Sequence, residues 1–112
     1  MSQDDGPVTV QADLDRFDDP SDVQPVRVRK GQRVRVVATN SAGRLGLAIW
    51  GPRTRTVQVS RANVRRNRLG YVGKPGRRQV LVVRARRTGL VYVEAKALKG
   101  TMAYRMRITA RR

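Results

Sequence analysis

Cysteine and histidine are both absent from this 112-residue chain. Without cysteine it can form neither a disulfide framework nor a thiolate zinc site. Without histidine it can build neither a Ser-His-Asp triad nor an imidazole metal cluster. Aromatic residues are scarce, with one Trp, three Tyr and one Phe. That is thin provision for a single-stranded nucleic-acid groove, which stacks bases on aromatic rings. No apolar stretch approaches the roughly 20 residues that cross a bilayer as a helix, so no membrane span is expected. The opening "MSQDDGPVTV" lacks the basic start and apolar run of a secretory signal. Residues 1–7 read as a flexible segment ahead of one domain over residues 8–112.

Acid is scarce too, but only after residue 22. Residues 1–22 hold seven of the eight acids and one base, for a net charge of −6. Residues 23–112 hold 24 bases and one acid, Glu94, for a net charge of +23. A basic body of this kind can neutralise phosphates or other anionic groups. Its acidic beginning can also lie against it and neutralise part of it.

What the chain does have is period-two alternation, the mark of half-buried strands. In "VRVRKGQRVRV", Val26, Val28, Val34 and Val36 alternate with Arg27, Arg29, Arg33 and Arg35. "LGLAIW" places Leu45, Leu47 and Ile49 on one face. "LVYVEAKA" and "YRMRITA" alternate in the same way. "QVLVVRA" is apolar on both faces and reads as a central strand. Turn signals at "KG", "NSAG", "GP", "GKPG", "TG" and a second "KG" recur roughly every ten residues, the rhythm of a sandwich or barrel. "SRANVRRNRL" is the one helix candidate and reads as a loop or weak strand. The expected fold is all-β, an antiparallel jelly-roll-like sandwich of about eight strands.

Register sharpens two pairings. A tight loop at "LKGT" would set Val93 opposite Met106, Ala95 opposite Tyr104 and Glu94 opposite Arg105. Apolar faces agree in that hairpin, and the lone acid of the basic body gains a partner. A three-residue loop at 30–32 would instead set Arg29 against Arg33 and Arg27 against Arg35. Like charges directly opposite destabilise a ladder. Either the two strands belong to different sheets, with valines meeting through the core, or something negative covers the arginines.

Candidate chemistry follows from these patterns. Arg27, Arg29, Arg33, Arg35, Arg105 and Arg107 are candidate polyanion contacts; the plainer reading is a solvated strand surface. No zinc finger, helix-turn-helix or aromatic RNA-binding strand is visible, which leaves nucleic acid a secondary alternative. Asp18, Asp19 and Asp22 in "DDPSD" could join an irregular calcium site, although the EF-hand spacing fails. The plainer reading there is turn chemistry. Trp50 before "GP" could be a sugar platform, but a tryptophan ending an apolar strand more commonly closes a core. Paired carboxylates for hydrolysis would all come from one N-terminal stretch, so no enzyme activity is expected.

Three segments in order carry a family resemblance. "LDRFDDPSDVQPVRVRKGQRVRV" resembles the opening of the bacterial pre-peptidase C-terminal domain family. "LGLAIWGP" is similar to its L-x-L-x-L-x-x-P strand, and "GLVYVEAKALKGTMAYRMRITA" to its closing G-x-Y-Y-V-x-V and Y-x-L-x-V strands. The likeness spans residues 8–110 and is strongest to arginine-rich versions that follow subtilisin-like serine proteases of secreted actinobacterial enzymes. The resemblance implies a non-catalytic jelly-roll-like domain, secreted or at the cell surface within a longer precursor. Its implied partners are an attached protease domain and a polymeric or insoluble protein substrate. Its implied roles are secretion, holding the precursor and attachment. No cofactor is required, and calcium is the one implied, on Asp15, Asp18, Asp19 and Asp22. Two departures stand out. "VQP" replaces an aromatic-containing strand, with Pro25 removing a ladder donor, and the arginines exceed what the family needs.

Overall fold

Alternation becomes strands in the computed structural model, which describes residues 8–15, 21–41, 44–51, 67–74, 76–98 and 101–111. The eight strands are β1 (Val8–Asp15), β2 (Ser21–Val28), β3 (Arg33–Asn40), β4 (Leu45–Trp50), β5 (Arg68–Val72), β6 (Arg78–Arg84), β7 (Gly89–Ala97) and β8 (Thr101–Arg111). They form two four-stranded antiparallel sheets, of order β1-β8-β3-β6 (sheet A) and β2-β7-β4-β5 (sheet B). Apart from β4 and β5, each strand lies in the opposite sheet from the one before it. That is the jelly-roll arrangement expected from the sequence.

The core lies between the sheets and is built from every second residue. Val34, Val36 and Ala38 of β3 and Met102, Tyr104, Met106 and Ile108 of β8 are buried on one side. Val28, Leu45, Leu47, Ile49, Val91, Val93 and Ala95 meet them from the other. Fully burying one such Val, Leu or Ile is worth about 1.5–3 kcal/mol, so this two-sided layer dominates the stability. A polar link crosses it among the described residues, where the Tyr104 hydroxyl of sheet A donates to Asp22 Oδ2 of sheet B at 2.7 Å.

The β2–β3 turn shows why those strands part. Gly31 has φ +91°, a left-handed conformation that glycine adopts without strain. Buried Gln32 closes the turn by accepting from the Arg29 backbone N–H at 2.7 Å. The Gly31 N–H donates to the Ala85 carbonyl at 2.8 Å, tying the turn to the end of β6. From there β3 enters sheet A while β2 stays in sheet B, so Arg27 and Arg29 never pair with Arg33 and Arg35. The first of the two alternatives raised by their like charges is the one realised.

Two expectations are corrected. The hairpin between β7 and β8 does not form: β7 is bordered by β2 and β4, and β8 by β1 and β3. Val93 and Met106 are both fully buried, but in opposite sheets. Two strands facing each other through a core satisfy the same apolar alternation as two strands paired side by side. Glu94 therefore aligns with Val23 and Ala48, not with Arg105. The segment "QVLVVRA" is a strand, but β6 is the edge of sheet A, not its centre. Its second apolar side has a different cause. Inward, Leu81 and Val83 pack on the core margin beside Gly70 of β5; outward, Val82 remains half exposed.

Pro25 lies in β2, an edge strand of sheet B, where a missing ladder donor costs least. Of the helix candidate "SRANVRRNRL", residues 60–66 lie outside the described residues, and Arg68 and Leu69 open β5. The proposed flexible segment 1–7 also lies outside them.

Candidate polyanion-binding face

Because β3, β6 and β8 all point alternate residues into the core, the residues between them share one outer surface on sheet A. Neighbouring strands lie about 4.8 Å apart, and successive outward residues about 6.8 Å apart along a strand. Register then lays out a grid. Arg84, Arg33 and Arg111 stand side by side on β6, β3 and β8. The next row is Val82, Arg35 and Thr109, and the row after it Val80, Val37, Arg107 and Thr9. Arg78, Thr39, Arg105 and Gln11 follow. Seven arginines thus occupy one face, and all seven are exposed.

Arg33, Arg35, Val37, Arg78, Val82, Arg107, Thr109 and Arg111 line a shallow depression of about 770 Å³. The row Arg84–Arg33–Arg111 puts three like charges directly opposite one another, an arrangement that weakens a sheet unless an anion lies between them. Guanidinium groups suit that task, since each presents a planar fork of donors to a carboxylate, sulfate or phosphate.

Beyond Arg105 the surface changes sign. Asp13 of β1 aligns with Ala103, diagonal to Arg105, and is the only acid among the described side chains of this face. The acidic strand therefore flanks one corner of the arginine face, far from the Arg84–Arg33–Arg111 row.

Of the six arginines singled out from sequence, Arg33, Arg35, Arg105 and Arg107 come together here. Arg27 does not: it lies exposed on the outer face of sheet B, aligned with Leu90. Arg29 sits where β2 runs into the turn, its backbone bonded to Gln32. Arg78, Arg84 and Arg111 were missed. Each follows its strand's alternation, but each stands at or next to a strand end, where neighbouring arginines or a turn obscure the pattern.

The acids proposed for calcium do not assemble among the described residues. Asp22 is half-buried and accepts the Tyr104 hydroxyl. Asp18, Asp19 and the side chain of Asp15 lie outside the described residues. No group of three or more metal-ligating side chains occurs among the described residues. Asp22 alone does not satisfy an ion that takes six to eight oxygens, so the described residues do not by themselves make a calcium site.

Trp50 is no exposed platform. It is fully buried, and its indole N–H donates to Glu94 Oε1 at 3.0 Å. Glu94 is itself 4% exposed, so this bond satisfies a buried carboxylate. The Arg68 guanidinium stacks 4.7 Å from the Tyr71 ring centroid and 6.0 Å from that of Trp50. Among the described residues no helix is long and apolar enough to cross a membrane.

Comparison with known proteins bears on the fold. No family model matches the chain, and no curated protein matches it. Solved structures do. PliG of Aeromonas hydrophila, a periplasmic inhibitor of g-type lysozyme, superposes with a TM-score of 0.73 at 8% identity, over 99% of this chain and 91% of that one. The pre-peptidase C-terminal domain of a Bacillus anthracis collagenase gives 0.67 at 15% identity, over 93% and 88%. CorA, a surface-associated copper-binding protein of Methylomicrobium album, gives 0.61 at 6% identity, over 97% and 95%. The chain shares its β-sandwich fold with these proteins. At these identities the likeness is one of fold alone.

Proposed function

We propose that this chain is a non-catalytic accessory domain that docks a larger secreted or surface protein onto an anionic polymer through the outer face of sheet A. The observation that carries this reading is the concentration of seven exposed arginines on that face, three of them abreast. A surface evolved only for solubility has no need to place like charges in register. The ordered motifs and the shared fold of a collagenase accessory domain support a protease, of subtilisin-like type, as the attached protein. In that setting the face would hold the enzyme at its polymeric substrate or steady its precursor during export.

A free-standing nucleic-acid binder is the competing reading. The arginine face carries no aromatic side chain among the described residues, so it offers no stacking to single strands.

Net charge alone makes any +17 protein adhere to polyanions, so the test must separate position from charge. Arg33, Arg35, Arg107 and Arg111 are changed together to Gln and compared with a control in which Arg27, Arg29, Arg86 and Arg87 are changed. The two variants carry equal charge. Docking through sheet A requires the first to elute from immobilised heparin at clearly lower salt than the second. Equal elution removes the proposed site.

A further inference from the structure

The arginine face is not uniformly polar, and its apolar part narrows the class of polymer. Val82 is 50% exposed on the edge strand β6. It shares the depression with half-buried Val37, and Val80 is aligned with Val37 across the β3–β6 ladder. These valines make an aliphatic strip among the guanidinium groups, with Arg35 aligned directly with Val82. A charge-only ligand such as polyphosphate has nothing to place on such a strip.

Other polyanions fit less well. Single-stranded nucleic acid would bring flat bases that bind best on aromatic rings, and none is found among the described residues of this face. Reading duplex DNA takes a helix or a ribbon that enters a groove, whereas this surface is a shallow hollow on the broad side of a sheet. A bilayer is planar and meets a concave surface only at its rim.

A polysaccharide combines the required features. Its rings present apolar C–H faces, and its sulfate or carboxylate groups project to the sides at short intervals. Resting on the polyanion-docking role proposed above, we infer that the face binds a sulfated or uronate-bearing polysaccharide. The polysaccharide lies along β3, its anionic groups on Arg33 and Arg35 and, to the β8 side, on Arg107 and Arg111, and its ring faces on Val80 and Val82 of β6 to the other side. The stripe of arginines from the Arg33–Arg111 row to Arg105 extends about 20 Å along the strands, three steps of two residues. The site therefore engages several sugar units at once.

Val80→Thr and Val82→Thr keep β-branched shape and charge while replacing a methyl by a hydroxyl, and both positions lie on an edge strand that tolerates them. Binding of the native chain and the double variant is measured at one fixed ionic strength to four probes: a sized heparin oligosaccharide, polyphosphate of equal charge, a single-stranded oligonucleotide of equal charge, and vesicles containing phosphatidylserine. The expected result is tightest binding to the oligosaccharide, a loss of roughly three- to tenfold in the double variant, and unchanged polyphosphate binding. Equal affinity for polyphosphate or the oligonucleotide, or oligosaccharide binding indifferent to the valine changes, overturns the polysaccharide assignment but leaves polyanion docking standing. Preferential binding to the vesicles overturns it in favour of a lipid surface. If no probe distinguishes the native chain from the four-arginine Gln variant, docking through sheet A itself fails.

Discussion

Replacing Arg33 by Gln should make the protein more stable and less able to bind, and the size of the first effect follows from the register. Arg33 stands between Arg84 and Arg111. Two unit charges about 6 Å apart in water repel by about 0.7 kcal/mol. Long exposed side chains splay apart and reduce this, so relief from two neighbours comes to about 0.5–1 kcal/mol at low salt. In a domain of this size that corresponds to an upward shift in Tm of about 2–8 °C. At 1 M salt the Debye length is about 3 Å, and the gain should vanish. Arg35 supplies the comparison: its direct cross-strand neighbours are Val82 and Thr109, and its nearest arginines stand along its own strand or diagonally. Arg35→Gln should therefore gain less at low salt than Arg33→Gln, and its gain too should vanish at 1 M salt. Urea denaturation of the native chain and both variants in 20 mM and 1 M NaCl decides the matter. If Arg33→Gln matches Arg35→Gln at low salt, or its effect survives 1 M salt, the three arginines do not repel one another as argued. A gain in stability coupled to weaker heparin binding would mark the row as a functional cost retained for its ligand.

Three further outcomes are expected. Trp50→Phe removes the donor to buried Glu94 and should destabilise by about 1–3 kcal/mol in urea unfolding; adding Glu94→Gln should recover part of that loss, and full additivity of the two changes would contradict the bond's role. A methyl group on Gly70 would lie 2.6 Å from Val83 Cγ2, so Gly70→Ala should cost about 1–3 kcal/mol, less in a Val83→Ala background; no change in unfolding midpoint would refute the close approach of β5 and β6. Calcium binding through Asp15, Asp18, Asp19 and Asp22 predicts a higher thermal midpoint in millimolar calcium that Asp22→Asn abolishes; an unchanged midpoint removes calcium from the account.

Which parts of this architecture the sequence discloses has a physical logic. Period-two alternation reports the face on which a side chain lies, and β2, β3, β4, β7 and β8 were legible for that reason. It does not report which strand is the neighbour. The β7–β8 register matched Val93 with Met106 because both point into one core, although from opposite sheets. The like charges of Arg27, Arg29, Arg33 and Arg35 carried the extra information that separated β2 from β3. No comparable conflict marked β7 and β8. Strand β5 was illegible because it is short, is interrupted by Gly70 and meets β4 across a shift in register at Ile49 and Trp50. An edge strand with two apolar sides misleads for another reason: Val82 on the outer side of β6 looks like core when it lines a surface hollow.

The arginine face shows the same division. Alternation alone placed Arg33 and Arg35 on one side of β3, and Arg105 and Arg107 on one side of β8. That β3 and β8 are adjacent, and that β6 adds Arg78 and Arg84, depends on topology that no local pattern states. The sign change between Asp22 and Arg27 also has its explanation in three dimensions. Asp13 of β1 lies on the margin of the arginine face, and Asp22 turns inward to Tyr104.

The central claim, that position and not net charge makes this domain a polyanion binder, is tested most directly by the salt dependence of heparin affinity. The slope of log K against log salt counts the ionic contacts made. Changing Arg33, Arg35, Arg107 and Arg111 to Gln should lower the magnitude of that slope by about three to four, whereas changing Arg27, Arg29, Arg86 and Arg87 should lower it by about one at most. Equal slopes for the two charge-matched variants would contradict the account.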